Sequence, residues 1–192
     1  GIPRVLNMFE DYPFWFTFFT KLGYEVVISD KSTPEMFQSG LSTIPSESLC
    51  FPAKLVHGHI VNLVNKGVKK IFYPCIPYNL TDAVNDADNT YNCPVVAGYP
   101  ENIAANMDIL RQNDVRFYKP YLPLGNAKRL EERLQKELKA ENLDKKEIKE
   151  ALEAAYNEWD NYKQDVRAFG ARVLKELEGT DKKAVVLVGR PY

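Results

Sequence analysis

Three cysteines among 192 residues are few, and odd in number. A small secreted domain pairs its thiols, whereas a chain with 45% apolar residues can bury a core without such staples. A disulfide framework is therefore disfavoured, and reduced thiols in a cytoplasmic setting are expected. Net charge is equally scarce, with 25 basic residues against 26 acidic ones. Nucleic acid and anionic membranes both reward a positive excess, so neither is an expected partner. No apolar run approaches the roughly 20 residues of a membrane span, and the first residues lack a basic-then-apolar leader pattern. The ten glycines form neither Gly-x-Gly-x-x-Gly nor a Walker-type loop. No phosphate cradle is expected in this chain.

What is present divides unevenly. Residues 1–127 hold 22 charges, while residues 128–183 hold 28, fourteen of each sign. The first part reads as a charge-poor α/β unit over residues 1–125. Short apolar runs at Val5–Met8, Glu25–Ser29, Lys70–Tyr73, Pro94–Ala97 and Val115–Tyr118 read as strands. Helical runs at Tyr12–Leu22, Pro52–Asn65 and Glu101–Gln112 lie between them, with Pro13 and Pro52 near helix starts and Gly23 and Gly67 as stops. That alternation predicts a mostly parallel, Rossmann-like sheet with helices on both faces, and ligands at the carboxyl ends of its strands.

Residues 126–180 read as a charged helical hairpin. Leu130, Leu134 and Leu138 share one helix face, and Asp144 with Glu147 forms a capping box for a second, long helix. Ile148, Leu152, Ala155, Trp159, Tyr162, Val166, Phe169 and Val173 alternate steps of four and three, a heptad seam. The bulk of Trp159, Tyr162 and Phe169 favours packing on the α/β body over a two-stranded coil, with a homo-oligomer through this helix as the alternative. Residues 181–192 read as the first strand of a second, truncated α/β unit, since a buried parallel strand leads into a crossover helix.

Cys50, Cys75 and Cys93 are 25 and 18 positions apart, so no Cys-x-x-Cys pair marks a zinc or thioredoxin-type site. Each has a proline one or two residues away: Pro52, Pro74 and Pro94. Cys50 precedes a helix, where free N–H groups favour a thiolate. Cys75 ends a strand, and Cys93 opens the next one. Residue types alone leave two readings open: small buried thiols near loop ends, or a metal or cluster site. Zinc would want a fourth ligand. His57 and His59, two apart on a helix, face different directions. His59 belongs to a packed apolar face, and His57 lies nearer Cys50, where it reaches at most a second layer around the thiols.

Several runs carry a resemblance. They are Gly1–Met8, Tyr12–Trp15, Ile44–Lys54, His57-Gly58-His59, Phe72–Tyr78 and Cys93-Pro94. Together they resemble the uncharacterised domain of the activase-related proteins of the 2-hydroxyacyl-CoA dehydratase system. The likeness is strong over residues 1–125 and weak at 184–192, through Gly189-Arg190-Pro191-Tyr192.

The resemblance implies a 4Fe–4S cluster held by Cys50, Cys75 and Cys93, with an open fourth position. It also implies an ATP-dependent activase module as partner, in the same chain or separate, and electron transfer to a small substrate or acyl-CoA. In that setting Ser46, Glu47 and Ser48 would hydrogen-bond cluster sulfurs or a ligand, Lys54 would face an anion, and His57 would stand behind them. Without the resemblance, Ser46–Ser48 reads as a helix cap and Lys54 as a solvated lysine. The rival to the whole reading is a non-catalytic α/β scaffold or dimerisation domain with buried structural cysteines and no cluster.

Overall fold

The computed structural model describes residues 1–79 and 89–189. Gly1 and Ile2 run between two other extended segments. Ile2 N–H donates to Val27 O at 2.9 Å, Ser29 N–H to Ile2 O at 3.1 Å, and Phe72 N–H to Gly1 O at 2.9 Å. Strand β1 (Lys70–Phe72) pairs in parallel with β2 (Arg116–Tyr118). Isolated parallel bridges join Ile2 to Ile28 and Cys75 to Tyr121. The protein is thus α/β, and among the described residues its regular sheet has two strands.

Two expected strands do not form. Pro3 offers no N–H to a ladder, so pairing stops at Ile2. The chain then turns through Leu6, whose φ is +51°, and helix α1 (Met8–Lys21) begins where Val5–Met8 was expected as a strand. Pro13 consequently sits inside α1 rather than in its first turn. Pro94–Ala97 opens helix α4 (Pro94–Asn106). Proline at the first helical position and burial of Val96, Tyr99 and Ile103 on one face outweigh the β-branched Val95-Val96 pair. The helix expected over Glu101–Gln112 is split at Met107 into α4 and a short α5 (Asp108–Gln112).

Helices α2 (Pro34–Gly40) and α3 (Phe51–Asn65) cross at two glycines. A Cβ on Gly58 would collide with the Met36 carbonyl oxygen, and one on Gly40 with the backbone of Gly58. The core is aromatic: Phe14, Trp15 and Phe18 are fully buried, and the Trp15 and Phe72 ring centroids lie 4.7 Å apart.

Leu130, Leu134 and Leu138 are buried beneath α6 (Ala127–Glu137), as their spacing predicts. Asp144 caps α7 (Lys145–Leu177), its carboxylate accepting from Lys146 N–H at 2.6 Å while Glu147 accepts from Asp144 N–H at 3.1 Å. The first half of α7 packs on α1, with Ile148, Ala151, Leu152 and Ala155 buried and Tyr156 edge-on to Phe14. Its second half leaves Val166, Phe169 and Leu174 exposed. The turn before α7 is pinned to the sheet by Glu141, which accepts hydrogen bonds from Tyr24 (2.9 Å), Arg116 (3.3 Å), Lys70 and Tyr118.

Residues 182–188 adopt no helix or strand, and Val185 to Val188 are at least 81% exposed. Arg190–Tyr192 lie outside the described residues, as does most of the loop expected to bring Cys93 back to the sheet edge. Among the described residues no helix is long and apolar enough to cross a membrane.

Candidate functional site

Cys50 and Cys93 occupy matching places. Each is the N-cap of a helix, Cys50 of α3 and Cys93 of α4, with proline in the first helical positions. Their backbones are nearly superimposable in torsion: φ −62°, ψ 149° for Cys50 and φ −61°, ψ 153° for Cys93. Neither side chain caps its own helix, so both thiols remain available above the free N–H groups of a helix start. Cys93 therefore opens a helix, not the strand expected of it.

The two helices are locked together by His57 of α3 and Tyr99 of α4. Thr43 donates its hydroxyl hydrogen to Gly40 O at 2.9 Å, so at 2.7 Å it accepts from His57 Nδ1–H. Burial holds the imidazole neutral, with its pKa lowered to about 4, and the bare Nε2 accepts from the Tyr99 hydroxyl at 2.8 Å. Burial, and then the charge at Cys50, pushes the Tyr99 phenol up to about 12. His57 and Tyr99 stand seven and six residues below their N-caps, about 9–10 Å of helix. Both nitrogens of His57 are thus committed to neighbours.

Cys75 behaves differently. A short antiparallel neck links the segments around it: Tyr78 bridges Tyr91, Asn92 N–H donates to Pro77 O at 2.9 Å, and Asn92 Nδ2 donates to Ile76 O at 2.8 Å. Counting down that register sets Cys93 opposite Ile76, one step from Cys75. The Cys75 thiol is buried beside Tyr121, and burial pushes its pKa up to about 11.

The remaining expected residues sit on the surface. Ser46 and Ser48 hydrogen-bond each other at 2.8 Å, and Lys54 Nζ donates to Glu47 O at 2.7 Å. The helix cap is Cys50 itself, so the Ser46–Ser48 segment does not cap α3. His59 is fully buried, as expected for a core position, between Ser29 (2.7 Å) and Ser32 (3.0 Å). Sequence reasoning missed Tyr99, whose partner lies 42 positions away.

The donor chemistry suits thiophilic iron: three thiols, two of them at helix starts. Among the described residues, however, no group of three or more His, Cys, Asp and Glu side chains is arranged to hold a metal ion. Cys50 and Cys93 fit a thiolate site as they stand, whereas Cys75 fits only after its side chain turns from Tyr121. A cavity of about 460 Å³ opens among Gly1, Val27, Val68, Phe72 and Glu141, and none of the cysteines lines it.

The fold and this site define an α/β protein with cysteines at the N-cap positions of two neighbouring helices. The chain belongs to the family described as CoA enzyme activase uncharacterised domain (DUF2229), which matches residues 1–192. No curated protein and no solved structure matches it.

Proposed function

We propose that this domain carries a 4Fe–4S cluster on Cys50, Cys93 and Cys75, as the dehydratase- or reductase-like part of a larger activase-related protein. The observation that carries the reading is the paired N-cap placement of Cys50 and Cys93 on neighbouring helices. Helix starts favour anionic sulfur, and thiolate is the form that binds iron. A bound cluster there would supply one-electron chemistry at low potential to a small substrate or acyl-CoA, with an ATP-dependent activase module as the electron source. The chain's own residues set Cys50 and Cys93 at the helix starts, and the buried His57–Tyr99 bond fixes the spacing between those helices.

In this reading residues 1–125 form the cysteine-bearing unit, completed as a Rossmann-like sheet, and residues 126–180 are a helical hairpin on its flank. The apolar run 184–188 starts a further α/β unit, and the exposed half of α7 serves assembly in the cytoplasm. Anaerobic reconstitution with iron and sulfide, followed by EPR of the reduced protein, tests the function. Cluster signal is expected in the wild type and absent from a triple Cys→Ser variant. Equal iron in both proteins removes the reading.

The burial of Cys75 beside Tyr121 favours a second reading for that residue, a structural thiol within a non-catalytic scaffold. Zinc and iron both absent from the anaerobically purified protein, with the thiols unreactive, would support it.

A further inference from the structure

We propose that Arg4, together with Ser32 and the Ser29–His59 pair behind it, forms a binding site for the anionic group of a small ligand, a carboxylate or a phosphate. This site does not depend on the thiols. Arg4 follows Ile2, and Ser29 and Ser32 follow the neighbouring extended segment, so they meet where two adjacent parallel segments end. That crevice is where ligands of parallel α/β proteins sit.

One chain of hydrogen bonds connects the parts. The backbone N–H of Arg4 donates to Ser29 Oγ at 2.8 Å, Ser29 Oγ lies 2.7 Å from His59 Nδ1, and His59 Nε2 lies 3.0 Å from Ser32 Oγ. Ser32 is exposed and Arg4 is half-buried, so a solute can reach both.

Arg4 has a charge without a counter-charge. Its guanidinium carbon lies 5.6 Å from the Phe9 ring centroid and 5.8 Å from that of Tyr12. Its Nε is buried with no hydrogen-bond partner, and no ion pair includes Arg4 among the described residues. Asp30, the carboxylate of the Ser29–Thr33 loop, is taken by Lys66 at 2.7 Å and Asn62 at 2.9 Å. Glu10 and Tyr162 share the neighbourhood without pairing with Arg4. Burial first, and then the charge of Arg4, keep His59 neutral, its pKa lowered to about 4. His59 therefore adds no positive charge to that of Arg4. A partly buried guanidinium held by rings and left unpaired is costly, and a planar anion taking its N–H groups removes that cost. The exposed Ser32 hydroxyl supplies the next donor, with His59 Nε2 fixing its position.

The test titrates the full chain with inorganic phosphate and, separately, with acetate, each at constant ionic strength against sodium chloride, by calorimetry and thermal shift. Saturable binding of at least one anion is expected, with phosphate or acetate preference naming the ligand's head group. R4Q should weaken that binding about tenfold or more and S32A severalfold, while R129Q on the exposed face of α6 leaves it unchanged. No saturation beyond chloride, or binding by R4Q equal to wild type, overturns the site. Should R4Q not fold, S32A decides alone, because its side chain is exposed: binding equal to wild type overturns the proposal.

Discussion

Cys50 is exposed and Cys75 is buried, and burial carries the Cys75 thiol to about 11. At neutral pH that lowers its thiolate fraction about 100-fold below an ordinary thiol with a pKa near 9.0. Iodoacetamide is expected to modify Cys50 first and Cys75 last, with Cys75 released only by denaturant. Mass spectrometry of timed quenches gives the order, and early labelling of Cys75 contradicts its placement. Asp11 makes a second residue-scale prediction. It is buried beneath α7 with Asn7 as hydrogen-bond partner, and burial raises its carboxyl to about 7. The folded state therefore holds a proton that the unfolded chain releases near pH 3.8. Its contribution is whole below that value and is lost as pH rises to about 7. D11N should flatten this slope and exceed wild-type stability at pH 8 by on the order of a few kcal/mol. Urea unfolding at pH 5 and pH 8 reads the difference, and parallel pH profiles contradict it. The cysteines and His59 were legible in the sequence because each sits beside a proline or on an apolar stripe. Tyr99 and Arg4 were not: their significance comes from partners brought close only by the fold.

At the scale of elements, the sequence spoke clearly where a pattern is long and faintly where it is short. The Leu130/Leu134/Leu138 stripe, the Asp144–Glu147 capping box and helix α3 all emerge close to expectation. Val5–Met8 and Pro94–Ala97 misled because so short a mostly apolar run does not by itself distinguish a strand from other buried local structure. Proline decided both cases, Pro3 by ending the ladder and Pro94 by starting the helix. No sequence pattern marks the α2–α3 contact, since glycine pairs signal close approach only once two helices are known to cross. G58A should drive a methyl group into the Met36 carbonyl and cost about 3 kcal/mol. Because α3 carries both Cys50 and His57, the variant should also loosen the thiol edge. Denaturant unfolding checks the loss, and a change below about 0.5 kcal/mol contradicts the packing.

Across the whole molecule, charge-poor and charge-dense halves are not separate bodies. The first half of α7 lies on α1, and Glu141 ties the preceding turn to Lys70 of β1 and to Arg116 and Tyr118 of β2. The second half of α7 touches little, with Phe169 59% and Leu174 65% exposed. A V166E/F169E double variant should therefore leave unfolding free energy within about 0.5 kcal/mol of wild type in dilute solution. A larger loss would mean that this face packs within the chain or between copies, which light scattering distinguishes. The heptad seam was visible in the sequence, but which half of it would be covered depends on where α1 ends, a fact of tertiary structure. The most direct measurement on the central claim is iron bound per chain after anaerobic reconstitution, compared across wild type, C50S, C75S and C93S. The account predicts about four irons in wild type and a severe loss in C50S and C93S, with C75S showing whether the buried thiol turns to join them. Wild type holding no more iron than C50S and C93S would contradict it.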